Sequence, residues 1–140
     1  TEINAVIGRS QLKRLDSNNA KRQRNLDLFL GHLDPVKYRT DFETAGSCNY
    51  AFTLVLQEPD DHFRDRVMQT LRACGVEFRR GTSGGGNQLR QPYLRKRFGD
   101  NKYREYPRAD HIHFYGCYLG NYPDLEEGKI LTLCSILNQL

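Results

Sequence analysis

Residues 48–80, CNYAFTLVLQEPDDHFRDRVMQTLRACGVEFRR, decide the fold. The first part, Cys48–Leu56, is rich in aromatic and β-branched residues and reads as a strand. Pro59-Asp60-Asp61 then has the chemistry of a helix start, with acids favoured at the positive end of the helix dipole. Phe63, Val67, Leu71 and Cys74 follow at helical spacing, and Gly75 supplies the stop. Val76–Arg80 reads as a second, short strand. Strand, helix, strand in this order predicts a small α/β or α+β sandwich with helices on one face of the sheet.

Working outward, Glu2 to about Leu33 reads as a long helix. Ile3, Val6, Ile7, Leu12 and Leu15 mark one apolar face, and spacing resumes at Leu26, Phe29, Leu30 and Leu33. The polar stretch between them, Asp16–Asn25, fits a helix crossing two packing environments. It equally fits a helix pair whose second member is capped by Ser17 or Asn18. Asp34-Pro35 ends the segment. Downstream, a helical turn is expected after Pro92, irregular chain over Tyr103–Ala109, and a strand over Asp110–Leu119 (DHIHFYGCYL). Asn121-Tyr122-Pro123-Asp124 reads as a turn. Leu125–Leu140 closes the chain as an amphipathic helix with Leu125, Ile130, Leu133, Cys134 and Leu137 inward.

A chain of 140 residues suits one domain over 1–140, and its hydrophobic content of 38% is enough for a lean core. No stretch is apolar for the roughly 18 residues a membrane helix needs, and no secretory leader is legible at Thr1–Ile7. The chain does not begin with Met, so a fragment of a longer protein is one expectation. Cys48, Cys74, Cys117 and Cys134 are too far apart for a metal knuckle or a compact disulfide scaffold. They read as buried free thiols in a reducing, cytoplasmic setting.

The net charge of +4 is unevenly distributed. Between Arg79 and Arg108 nine Lys and Arg residues face two acids, Asp100 and Glu105, leaving −3 for the rest of the chain. Such a block suits a phosphate-bearing ligand or nucleic acid, or is a solvated face with no partner. Its glycine-dense neighbour, GTSGGG at Gly81–Gly86, has the glycine spacing of a phosphate loop. Asn87 and Gln88 stand where that loop needs Lys and Ser or Thr, however, and Leu89 breaks a dinucleotide fingerprint. What remains is a loop whose bare backbone can approach a ligand closely, flanked by Arg79, Arg80 and Arg90, or a surface loop without one.

On the expected strand His111, His113 and Tyr115 share a face and Ile112 and Phe114 the other. A substrate-facing histidine pair or two hydrogen-bonded structural histidines both fit. Metal binding lacks a third ligand by any motif. No nucleophile and base can be assigned, so the residues give binding features without a catalytic engine.

Three ordered segments carry a resemblance that spans essentially the whole chain. EINAVIGRSQLKRLD, leading into NAKRQRN, resembles the helix that opens the C-terminal region of the DegT/DnrJ/EryC1/StrS sugar aminotransferases. GGGNQLRQPYL and DHIHFYGCYLGNYPDL resemble the GN-x-x-RQP and G-x-Y-P-x-L segments of the branch that holds nucleotide-linked 4-keto-6-deoxyhexose 3-dehydrases. The resemblance implies the small C-terminal domain of a fold-type I pyridoxal-phosphate enzyme: a long first helix, then a small, mainly antiparallel sheet with helices packed on one face. It implies a nucleotide-diphosphate sugar as substrate, a homodimeric parent, a role in lipopolysaccharide O-antigen synthesis, and a cofactor held mainly by a large domain that this chain lacks. It places Arg80, Asn87, Gln88 and Arg90 near the active-site entrance and His111 and His113 by the same cleft, with no catalytic residue here. Transamination and removal of the C3 hydroxyl stay undivided, because the residue that separates them belongs to the large domain. The alternative from another class is a stand-alone basic nucleotide- or RNA-binding module.

Overall fold

The computed structural model describes residues 1–81 and 86–140. Two helices open the chain, α1 (Glu2–Leu12) and α2 (Leu15–His32). Strand β1 (Ala51–Val55), helix α3 (Asp61–Ala73) and strand β2 (Phe78–Arg80) follow. An excursion then runs through a 3-10 turn at Gln88–Arg90, α4 (Pro92–Phe98), a second 3-10 turn at Lys102–Glu105 and α5 (Pro107–Tyr115). Strand β3 (Gly116–Gly120) and helix α6 (Glu127–Asn138) finish the chain. The sheet order is β1-β3-β2, and β3 pairs antiparallel with both neighbours.

Helix α3 forms where the sequence asks for it. Asp60 caps it by accepting the Phe63 backbone N–H at 2.9 Å. Gly75, at φ +68°, lets the chain turn so that Val76 N–H reaches the Leu71 carbonyl at 2.9 Å. The first helix breaks at Lys13–Arg14, earlier than a cap at Ser17 or Asn18 would place it. No side chain caps the start of α2.

Strand register sorts the side chains by face. Phe52 stands opposite Leu119, Leu54 opposite Cys117 and Phe78 opposite Leu119, all on one face. Onto that face pack Leu26, Phe29 and Leu33 from α2 and its end, Val67, Met68 and Leu71 from α3, and Ile130, Cys134 and Leu137 from α6. Phe29 and Phe52 stack with ring centroids 4.5 Å apart. Tyr38, fully buried, donates its hydroxyl to the Leu137 carbonyl at 2.9 Å and so closes one end of the core. The α+β expectation with helices on one sheet face holds. The thiol expectation holds only in part: Cys117 and Cys134 are buried, whereas Cys48 and Cys74 are exposed because they lie outside the strand and helix expected to cover them.

The largest correction concerns DHIHFYGCYL. Residues up to Tyr115 are helix and only Gly116 onward is strand. Pro107 stands in the first turn, where its fixed φ favours helix, and no half-buried sheet surface is present to reward the period-two pattern. His111 and His113 therefore do not share a face. His111 lies one turn before Tyr115, ring centroids 5.2 Å apart, and His113 turns against Phe114 at 4.8 Å.

Candidate functional site

The excursion between β2 and β3 is braced internally by a polar cluster. Arg90 presents Nε and Nη2 to the two carboxylate oxygens of Asp110, each at 2.7 Å. Asn87, buried, donates from Nδ2 to Asp110 Oδ1 at 2.9 Å and to the Tyr103 carbonyl at 3.2 Å, while its Oδ1 accepts the Leu89 N–H at 3.1 Å. The Arg90 guanidinium lies 3.9 Å from the Tyr103 ring centroid and 4.7 Å from that of Phe114. A planar cation held by a bidentate carboxylate between two aromatic faces is a rigid clip. Arg90, through its hydrogen bonds, holds the Asp110 carboxyl below the usual carboxylate value, and Asp110 raises Arg90 in return.

Arg80 and His113 border this clip. Arg80 Nη2 donates to the Phe114 carbonyl at 2.7 Å, where a cation meets the negative end of α5. Burial, then the charge of Arg90, pulls the His113 imidazole below its ordinary value, with Asp110 opposing. Its Nδ1 is buried without a hydrogen-bond partner. Gly86 comes so close that a Cβ there would collide with this Nδ1 and lie 3.0 Å from the Gly81 carbonyl oxygen. The N–H of Gly86 donates back to the same oxygen at 2.7 Å. Residues 82–85 of the expected glycine loop lie outside the described residues.

Four of the expected residues, Arg80, Asn87, Arg90 and His113, thus converge. Gln88 is exposed, and His111 is directed elsewhere, its Nε2 2.7 Å from the Leu56 carbonyl. Sequence reasoning missed Asp110 and Tyr103. Asp110 lies 20 residues from Arg90, beyond any local spacing rule. Its one legible trait is being an acid at the end of a basic block.

A second feature lies on the face of the sheet away from the core. Thr53, Tyr118 and Arg79 form a row there, paired across the three strands. Tyr50 stands beside Tyr118, ring centroids 5.9 Å apart, and hydrogen bonding between the two phenols raises Tyr50. A hollow of about 460 Å³ opens on one side of this tyrosine pair, bordered by Asn49, Thr53 and Ile112. On the other side a groove of about 940 Å³ runs past Arg79 toward Lys129, over Phe78, Leu125 and Leu133.

Among the described residues, no helix is long and apolar enough to cross a membrane.

The chain is 30% identical over 140 residues to the GDP-4-keto-6-deoxy-D-mannose 3-dehydratase of Yersinia pseudotuberculosis, covering 99% of this chain and 35% of that protein. It is 25% identical over 122 residues to the enzyme of the same name from Escherichia coli O55:H7, covering 86% and 31%. It therefore spans about a third of the length of the curated relatives it matches. The structure of E. coli GDP-4-keto-6-deoxy-D-mannose-3-dehydratase with bound hydrated pyridoxal phosphate superposes with a TM-score of 0.75 at 24% identity, over 94% of this chain and 33% of that one. A GDP-4-keto-6-deoxymannose-3-dehydratase with a trapped cofactor–glutamate geminal diamine gives 0.72 at 22%, over 94% and 34%. These likenesses carry the fold. The profile of the DegT/DnrJ/EryC1/StrS aminotransferase family matches residues 1–138, and the chain belongs to that family.

Proposed function

We propose that this chain is the C-terminal small domain of a pyridoxal-phosphate enzyme that acts on a nucleotide-diphosphate 4-keto-6-deoxyhexose, contributing to its substrate cleft and homodimer. The observation that carries the reading is the family match along residues 1–138, joined to relatives about three times as long. The surface supports it. Ile3, Val6 and Ile7 on α1 are 72%, 65% and 55% exposed, an apolar stripe that a neighbouring domain would cover. Removal of the C3 hydroxyl is favoured over amination because both named curated relatives are 3-dehydratases. A place in lipopolysaccharide O-antigen synthesis in the cytoplasm follows as an expectation from that substrate class.

The cofactor does not fit this chain by itself. It needs an amine or imidazole over its carbonyl, a carboxylate on its ring nitrogen and a cradle for its phosphate, all in one cavity. Lys129, which borders the larger groove, is ion-paired with Glu126 at 2.8 Å, and Lys102 and Lys21 are paired at the surface. In this reading the cofactor is held by the part of the enzyme that precedes this domain. Of the residues named for the substrate cleft, Asn87 and Arg90 act by fixing the segment and Arg80 and His113 stand beside it, while Gln88 is exposed and His111 turns to the Leu56 carbonyl. The rival reading, a basic RNA-binding module, is weakened by the acids among the cations: Asp100, Glu105 and Asp110 pair with Arg95, Lys102 and Arg90.

The test is to express the chain joined to the coding sequence before it. Retained pyridoxal phosphate and conversion of a GDP-4-keto-6-deoxyhexose in the presence of glutamate, with loss of the C3 hydroxyl seen by NMR, is the expected result. A preparation with neither cofactor nor turnover would sink the reading.

A further inference from the structure

The fold treats the two outer edges of its sheet differently. β1 is met on its far side by the segment before it: Arg39 N–H donates to the Val55 carbonyl at 2.8 Å, and Gln57 N–H to the Lys37 carbonyl at 2.9 Å. β2, at the other edge, has no such cover among the described residues. The ladder fixes which backbone groups face that edge. Asn121 N–H donates to the Tyr50 carbonyl and Leu56 N–H to the Tyr115 carbonyl, so the odd residues of β3 bond toward β1. The even ones bond toward β2, where Tyr118 stands opposite Arg79. Phe78, the residue before Arg79, therefore points its N–H and C=O outward to the open edge.

An exposed edge is a template for pairing, which proteins ordinarily blunt with charge. β2 carries charge in a pattern that admits its own copy. Glu77 and Arg79 flank Phe78, both are exposed, and neither has an ion pair among the described residues. When two β2 strands run antiparallel with Phe78 opposite Phe78, the residue before it in one strand faces the residue after it in the other. Each Glu77 then meets Arg79 of the second copy, twice by symmetry, and the two Phe78 residues exchange both backbone bonds. A slip of one residue turns inward-bonding groups to the edge. A slip of two, in either direction, sets Arg79 against Arg79 or Glu77 against Glu77. Only the two-fold register satisfies backbone and charge together.

The apolar side chains agree with this register. Phe52, Leu119 and Phe78 form one row across the three strands. The groove of about 940 Å³ borders this row and Ile130, Leu133 and Ile136 of α6. Phe52 and Leu119 are 1% and 2% exposed, whereas Phe78 at the edge is half-buried. Apolar surface thus continues from the core to the open edge, and Phe78 of a second copy prolongs it. Aromatic pairs directly opposite each other are among the contacts that stabilise antiparallel strands.

We infer that the β2 edge is a self-recognition surface. Two copies of this chain join edge to edge about a two-fold axis at Phe78, their sheets become continuous, and Glu77 and Arg79 set the register. The contact is additional to the homodimer of the proposed function and does not rest on it.

The experiment is sedimentation velocity of the 140-residue chain across a range of concentrations, with Glu77→Arg and Arg79→Glu run singly and mixed. The wild type should dimerise as concentration rises, and added salt should weaken the dimer. Each reversal sets like charges opposite each other at two places and should weaken association about tenfold. An equimolar mixture of the two variants restores opposite charges at both places and should associate more tightly than either alone. Exchange of the Phe78 N–H should slow with concentration in the wild type. The inference is overturned by a monomer at every concentration, as when the edge serves a different protein. It is overturned equally by association that both reversals leave unchanged, as when the exposed stripe of α1 is the contact, or by a mixture no tighter than its components. Turnover by the longer enzyme is a separate readout, so each of these outcomes leaves the proposed function standing.

Discussion

Two halves of this domain are held together by different physics. Where α2, α3 and α6 meet the sheet, Phe29, Val67 and Leu137 are completely buried and the packing is mainly apolar. From residue 88 to 115 no side chain is buried, and Tyr93, Phe98 and Tyr106 are at least half exposed. That excursion is held by polar contacts more than by a core: the clip Arg90–Asp110–Asn87 braces it internally, and Arg80 at the Phe114 carbonyl and His111 at the Leu56 carbonyl join it to the rest of the domain. An assembly built on burial resists local change, whereas one built on a few charged hydrogen bonds can be reshaped by a neighbour. Exposed tyrosine and arginine are also the composition of interfaces, so the less stable half is the one suited to meeting a partner surface.

The sharpest way to break the comparison is on the core side. Phe29→Ala removes a fully buried ring stacked on Phe52 and should cost about 3–5 kcal/mol, read as a fall in the urea midpoint of the whole chain. Gly86→Ala should cost about 1–3 kcal/mol, because the added methyl meets His113 and the Gly81 carbonyl. Replacing His113 by Ala in the same chain should recover part of the loss in thermal midpoint.

Asp110→Asn tests the clip. It should lower the opening free energy of the excursion by about 1–2 kcal/mol in hydrogen exchange, with little change in the global midpoint. Acid should do the same to the wild type. Asp110 titrates below the ordinary 3.8, so the clip contributes fully above that value and is lost as pH falls through the depressed folded value. Asp110→Asn should abolish this acid step. The smallest effect is chemical. Cys48 and Cys74 should react with a thiol reagent in the folded protein, whereas Cys117 and Cys134 should wait for unfolding. Burial supports the difference by pushing their thiols up to about 12 and about 11.

The same division governs what the sequence made legible. Helix α3 announced itself through Asp60, its apolar spacing and Gly75, and α6 through Ile130, Cys134 and Leu137, because burial on one face imposes a period. The excursion imposes none. His111 to Tyr115 alternates like a strand yet folds as helix, since only Tyr115 at its end packs against the core. Asn87 and Arg90 were legible as a pair of interest, but their partner Asp110 is set by tertiary contact, and so is the link between Asn25 and Asn121, 96 residues apart. Polar clips carry no periodicity, and pattern reading finds their members only one at a time.

The measurement that bears most directly on the account is native-state hydrogen exchange on the 140-residue chain and on the longer enzyme proposed to contain it. In the chain alone, amides of α1, α4 and α5 should exchange well ahead of those in α2, β3 and α6. In the longer enzyme, those same three helices should gain at least about tenfold protection, roughly 1.4 kcal/mol, as neighbouring surfaces cover them. Equal protection of both halves in the chain alone, or no gain in the longer enzyme, would contradict it.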